Sequence, residues 1–226
     1  MLELRRNPPI AALFALALSL AWTLGTIATE IVEIPGAEGR TIELEVDVPP
    51  DFDPDVAYPV LVGAGDYYWQ DHPSQPGWII VLSAAFWSPD RLEDAPRVLA
   101  WIRENYRVRG GGCHSTGWSR NSAGIFEIAM AYPEQFLSVT GVAGMPGRGS
   151  EKDLEKLRDV RVQFIVGEND TYWKNGSEDW HQKLKALGVD STLEIIPDGA
   201  HVMPELINKP FFERMNRLVA KIEAAQ

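Results

Sequence analysis

Two short, uninterrupted apolar runs constrain the fold of this chain more than any other feature: Val60-Leu61-Val62 and Ile79-Ile80-Val81-Leu82. A strand with one wet face alternates apolar and polar residues. A run with no polar residue suits a strand covered on both sides, as in a parallel sheet between helices. The rest of the chain supplies that setting. Residues 113–116, 138–142, 162–166 and 192–196 read as further strands. Residues 91–106, 121–132, 178–187 and 211–224 carry apolar residues at helical spacing. Residues 41–48 alternate instead, with Ile42, Leu44, Val46 and Val48 against Glu43, Glu45 and Asp47, which predicts an edge-type strand. Strands alternating with helices predict an α/β architecture, a doubly wound, mainly parallel sheet. The stretch between Leu82 and Arg91 is too short for a large lid, so residues 29–226 are expected to form one compact domain.

Charge and cysteine content narrow the function classes. The 226 residues carry a formal net charge of -11, which disfavours a nucleic-acid surface, since phosphate would be repelled over most of the protein. The single cysteine, Cys113, rules out an internal disulfide and disfavours a thiolate zinc site.

Residues 1–28 read as a leader. Arg5 and Arg6 give a positive start, 10–24 is an uncharged apolar run, and Thr26-Ile27-Ala28 ends on a small residue. The run is short for a membrane span, which needs roughly 20 apolar residues. This predicts a secretory signal peptide and an exported domain, secreted or periplasmic. An uncleaved N-terminal membrane anchor is the alternative.

The step from the 113–116 strand to the next helix holds Gly117-Trp118-Ser119-Arg120-Asn121. A serine on a sharp strand-to-helix turn has its hydroxyl lifted clear of the sheet, and the turn needs small neighbours. Gly117, Ser122, Ala123 and Gly124 provide them, which makes Ser119 a candidate nucleophile. A serine there would also suit a helix cap. A nucleophilic serine needs a base and an orienting acid, in the chain order Ser, acid, His for this architecture. Two histidines follow Ser119. His181 lies within a helical segment beside Trp180, whereas His201 follows a strand end through Pro197-Asp198-Gly199-Ala200. His201 is the candidate base. Asp170, just past the 162–166 strand, is the candidate acid; Asp198 is too near His201 in sequence, and Asp190 falls at a strand start. The developing oxyanion needs two backbone N–H donors. Arg120 offers one, and Ala64, in the Gly63-Ala64-Gly65 loop after 60–62, is chosen for the other over Gly65.

These residues resemble a known family. Thr116 through Glu127, with Ala131-Tyr132-Pro133-Glu134-Gln135-Phe136, Val142-Ala143-Gly144, Gly167-Glu168-Asn169-Asp170 and Gly199-Ala200-His201, look like α/β-hydrolases of the feruloyl esterase, polyhydroxybutyrate depolymerase and phospholipase/carboxylesterase type. The resemblance covers roughly residues 58–222 and implies ester hydrolysis through an acyl-enzyme, with no metal or organic cofactor. Two positions depart from it. Val62 precedes Gly63 where the family commonly has His, and Asn121 stands where it usually has Gly.

Tyr67, Tyr68, Trp69, Trp118 and Trp173 fall near the candidate strand ends and are expected to line a substrate cleft, since aromatic faces suit an aryl ester, a sugar ring or an acyl chain. Cys113 and His114 are expected to be buried rather than functional. The expected partner is a small-molecule or polymer-linked ester. A non-catalytic hydrolase-fold protein that binds glycan or lipid is the second reading, motivated by Asn121 and Val62. A serine peptidase is the third.

Overall fold

The computed structural model describes residues 29–64, 68 and 77–225. The leader read in residues 1–28 lies outside them. Among them eight strands form one sheet: β1 (Glu30–Pro35), β2 (Thr41–Asp47), β3 (Val60–Gly63), β4 (Ile79–Leu82), β5 (Cys113–Trp118), β6 (Phe136–Val142), β7 (Arg161–Gly167) and β8 (Ser191–Ile196). Their order is β1-β2-β4-β3-β5-β6-β7-β8. From β4 to β8 neighbours run parallel; β1 and β2 join antiparallel at one edge.

The all-apolar runs behave as their composition dictates, and every residue of β3 and β4 is buried. β2 alternates as expected at Ile42, Leu44 and Val46, but two details differ. It is not the edge, because β1 pairs along its whole length. Asp47 is buried, with a carboxylate oxygen accepting from the Thr29 hydroxyl at 2.7 Å. Glu30 and Glu33 interrupt β1, which directly follows the leader pattern, so no apolar run advertises it.

Among the described residues five helices flank the sheet: α1 (Ala95–Asn105), α2 (Ser122–Ala131), α3 (Glu151–Glu155), α4 (Thr171–Ala186) and α5 (Lys209–Glu223). Between β4 and α1 lie only two short 3-10 turns. α4 starts seven residues earlier than its apolar spacing suggests, because it runs through Asn175-Gly176-Ser177. Gly176 costs helix propensity, yet a Cβ there would strike the Met145 sulfur. One core layer packs Val98, Leu99, Ile125, Ile128, Leu154 and Leu184 against one face of the sheet. The other packs Phe211, Met215, Leu218 and Val219 of α5 against Leu61, Ile80, Val142 and Ile165.

The chain moves from β3 outward to β4, then crosses to β5 and proceeds the other way. The strand order therefore reverses between β3 and β5. Their carboxyl ends flank a natural crevice, where open sheets of this kind bind ligands.

Candidate active site

β5 ends at Trp118, and Ser119 follows with φ at +55°. A non-glycine residue in the left-handed region is strained and needs surrounding structure to hold it. The restraint is visible. A Cβ on Gly117 would lie 2.9 Å from the Ser122 Cα, so only glycine lets α2 begin this close to the strand. The Ser122 hydroxyl, wholly buried, donates to the Ser119 carbonyl at 2.6 Å and accepts from the Met145 N–H at 2.8 Å. A Cβ on Gly144 would come within 2.5 Å of that hydroxyl. Ser122 thus ties the strained turn to the loop after β6. The N-cap positions of this turn and of α2 are Trp118 and Asn121, so Ser119 is not the capping residue of the helix that follows.

β7 and β8 deliver the other two groups. Their following loops are laced together: the Glu168 N–H donates to the Ile196 carbonyl at 2.9 Å, and the Asn169 N–H to the Gly199 carbonyl at 2.8 Å. The Asn169 amide donates to the Asp198 carbonyl at 3.1 Å, and Asp198 takes φ +57° to make the turn. Asp170 is mostly buried at the start of α4, and His201 hangs from the loop after β8. His201 Nδ1 lies 2.7 Å from Asp170 Oδ2, and its Nε2 lies 2.9 Å from Ser119 Oγ. A carboxylate only accepts, so the ring proton belongs on Nδ1 and Nε2 is left to accept from the serine hydroxyl. Three residues from three strand ends thus form one hydrogen-bonded chain.

No protein-family model matches the sequence, and no curated protein matches it. Solved structures do. A provisional dipeptidyl aminopeptidase IV from Bacteroides ovatus superposes with a TM-score of 0.69 at 14% identity, over 86% of this chain. An esterase from the fungus Rhizomucor miehei gives 0.68 at 16% identity, over 96% of this chain and 92% of its own. A thermostable esterase gives 0.58 at 19% identity, over 76% of this chain. The fold is that of the α/β-hydrolases. This chain spans only 36% of the Bacteroides protein and 55% of the thermostable esterase.

Within this hydrolase fold, Ala64 is buried one residue beyond β3. The pairing of Gly63 with Thr116 sets it beside the end of β5. β3 and β5 approach closely there, since a Cβ on Gly63 would lie 2.6 Å from the Thr116 carbonyl oxygen. Arg120 follows Ser119 with its side chain exposed. Val62, at the position expected to hold His, is wholly buried in the core.

The aromatic residues divide. Tyr67 and Trp69 lie outside the described residues. Tyr68 departs from the expectation of a cleft-lining residue, because it is fully buried. Its hydroxyl accepts from the Met203 N–H at 3.0 Å and lies 3.5 Å from the His201 carbonyl oxygen. Tyr68 therefore braces the histidine loop from within. Trp118 Nε1 donates to the same carbonyl at 3.3 Å. The ring of Trp173 stacks on the imidazole with centroids 5.8 Å apart, and that of Trp118 lies tilted at 33° to it with centroids 5.3 Å apart. Tyr172, 70% exposed, meets Trp173 edge-on.

The remaining titratable candidates sit elsewhere. Burial pushes the Cys113 thiol up to about 12, so it carries no reactive thiolate at neutral pH. His114 is buried on Ser138 Oγ at 2.7 Å. His181 contacts Ser191 Oγ at 2.9 Å, away from Ser119. Among the described residues no group of three or more His, Cys, Asp or Glu is placed to hold a metal ion.

Proposed function

We propose that this chain is a serine hydrolase that cleaves carboxylic esters. One observation carries the reading: Asp170, His201 and Ser119 in unbroken hydrogen-bond contact, with Ser119 on a strained left-handed turn at a strand end. Esterase structures among the matches support it at the level of fold.

The chemistry follows from the contacts. As Ser119 Oγ attacks the ester carbonyl carbon, its proton passes to His201 Nε2. Asp170 fixes the ring and favours the imidazolium that forms. The N–H groups of Ala64 and Arg120 serve as donors to the oxyanion. Collapse of the tetrahedral intermediate breaks the bond to the alcohol oxygen, which takes the proton from Nε2. Water, activated by the same nitrogen, then releases the acid and restores Ser119. Trp118 and Trp173 give the site apolar walls suited to an ester's acyl or alcohol group. The leader pattern in residues 1–28 supports export as part of this reading.

A fluorophosphonate probe and a panel of aryl esters, from acetyl to long-chain and feruloyl, test the proposal. The wild type should take one covalent label and turn over at least one ester. Ser119→Ala should take no label and lose roughly 10⁵–10⁶ in kcat. Labelling that survives in Ser119→Ala, or folded wild type inert to every ester, overturns it. The second outcome would return the chain to a binding role.

A further inference from the structure

Both ring nitrogens of His201 are taken in the plane of the ring, Nδ1 by Asp170 at 2.7 Å and Nε2 by Ser119 at 2.9 Å. Its faces remain open to a further partner, and one short segment places an indole there. Asp170 stands just before α4, where its carbonyl accepts from the Lys174 N–H at 2.8 Å, and Trp173 follows in the first turn. Residues three apart lie on one side of a helix, so the segment that sets the carboxylate on Nδ1 also brings the indole beside the ring. Trp173 stacks on the imidazole, its plane 24° from that of the ring and its centroid 5.8 Å away. Tyr172 meets the indole at 88° with centroids 5.3 Å apart, which restrains its plane.

The face of an indole is the negative side of its quadrupole and attracts a cation within about 6 Å of the ring centroid. A neutral imidazole gains little from that field, and an imidazolium gains more. His201 becomes an imidazolium when it takes the Ser119 proton, so the stack favours the charged state formed during attack over the resting one. Trp118 also lies within this range, but its Nε1 holds the His201 carbonyl at 3.3 Å, so replacing it would move the loop as well.

We propose that Trp173 is a positioning residue acting through His201: its indole holds the imidazole in line with Ser119 and Asp170 and stabilises the imidazolium by cation–π attraction. The catalytic consequence rests on the reading of His201 as the base of an ester hydrolase. A wall that only excludes water would do the reverse, because desolvation penalises the charged imidazole and its removal would favour protonation. The two roles therefore give shifts of opposite sign. Of the charged groups around the ring, Asp170 is in contact with it. Arg120 beside Ser119, Glu168 and Lys174 on the β7–α4 side, and Asp198 and Glu205 on the histidine's own loop are the same in a Trp173 variant, so a shift is not theirs.

NMR titration of the His201 ring protons in the folded full chain, assigned by their loss in His201→Gln, tests this without requiring turnover. In Trp173→Leu, which removes the aromatic face, the midpoint should fall by roughly 0.5 pH unit, the size of one partly exposed cation–π contact. Trp173→Phe keeps a smaller aromatic face and should fall less. The His114 and His181 signals, from β5 and α4, report that the variants fold. The acid limb of fluorophosphonate labelling should move the same way in Trp173→Leu, with a plateau rate about threefold lower. A midpoint that rises or stays in place in Trp173→Leu, or that falls as far in Trp173→Phe, overturns the proposal. Wild type that takes no label while the Trp173→Leu midpoint still falls overturns the ester-hydrolase reading and supports the pairing of Trp173 with the imidazolium.

Discussion

Replacing Tyr68 with Phe separates a structural brace from a substrate contact. The ring stays, and only the hydroxyl is removed. That hydroxyl accepts from the Met203 N–H at 3.0 Å, and Met203 is wholly buried, so no water can replace it. Leaving such a donor unsatisfied costs about 1–3 kcal/mol. The longer contact to the His201 carbonyl, 3.5 Å, adds little, and Trp118 Nε1 still holds that oxygen. With urea slopes of roughly 1–3 kcal/mol per molar, the unfolding midpoint should fall by roughly 1 M. The His201 loop would lose one of its restraints, and displacement of a catalytic group by about 1 Å can cost a hundredfold in rate. Tyr68→Phe should therefore slow fluorophosphonate labelling roughly tenfold to a hundredfold and lower kcat, with KM for an aryl ester unchanged. Urea melts, labelling rates and steady-state kinetics measure all three. An unchanged midpoint together with a raised KM would show that the hydroxyl faces substrate, and the brace would be wrong.

Burial holds the His114 imidazole down to about 4, against an ordinary value of 6.5. Between those values the unfolded chain binds more protons than the folded one, so stability is full above pH 6.5 and falls as pH drops through the window. At pH 5 the loss is about 2 kcal/mol relative to pH 7.5, and His114→Gln should lose correspondingly less; equal pH slopes in urea melts of the two proteins would refute this. Asn121→Gly should leave the labelling rate within about twofold, because Asn121 sits at ordinary helical angles and a glycine there relieves no backbone strain. A large gain in rate would show that the asparagine obstructs the oxyanion site.

What the sequence made legible was whatever depends on chain order and local pattern. The all-apolar runs at 60–62 and 79–82 marked the sheet centre. Ser119, Asp170 and His201 stand out as candidates because each follows a strand, in the order a doubly wound sheet brings together. What it concealed depends on tertiary context. Tyr68 and Trp118 look alike in sequence, both aromatic and both near a strand end, yet one is buried under the His201 loop and the other lies half-exposed beside the imidazole. Ser122 read as a small helix-start residue, and nothing local shows that its hydroxyl joins Ser119 to Met145. The one available signal was the glycine at 144, whose need becomes clear only once Ser122 is seen against it. β1 is hidden in the sequence because Glu30 and Glu33 break its apolar residues and the leader pattern stands just before it.

The position two residues after Ser119, the proposed nucleophile, shows how a motif's requirements can be moved without being lost. A strand–serine–helix turn makes two demands, one on backbone angles and one on clearance for the helix. Here the unusual angle falls on Ser119 itself, at φ +55°, while Asn121 takes φ -64° and ψ -22°, which any residue adopts. Clearance is supplied elsewhere. Gly117 admits the start of α2, Gly124 lets it pass Trp87 (where a Cβ would lie 2.7 Å from the Trp87 Cα), and Gly144 admits the Ser122 hydroxyl. With both demands met at other positions, a glycine at 121 has no remaining task in the backbone. The departure that made the turn look imperfect in sequence is therefore compatible with a well-formed nucleophile turn, and any effect of Asn121 on chemistry must come through its side chain.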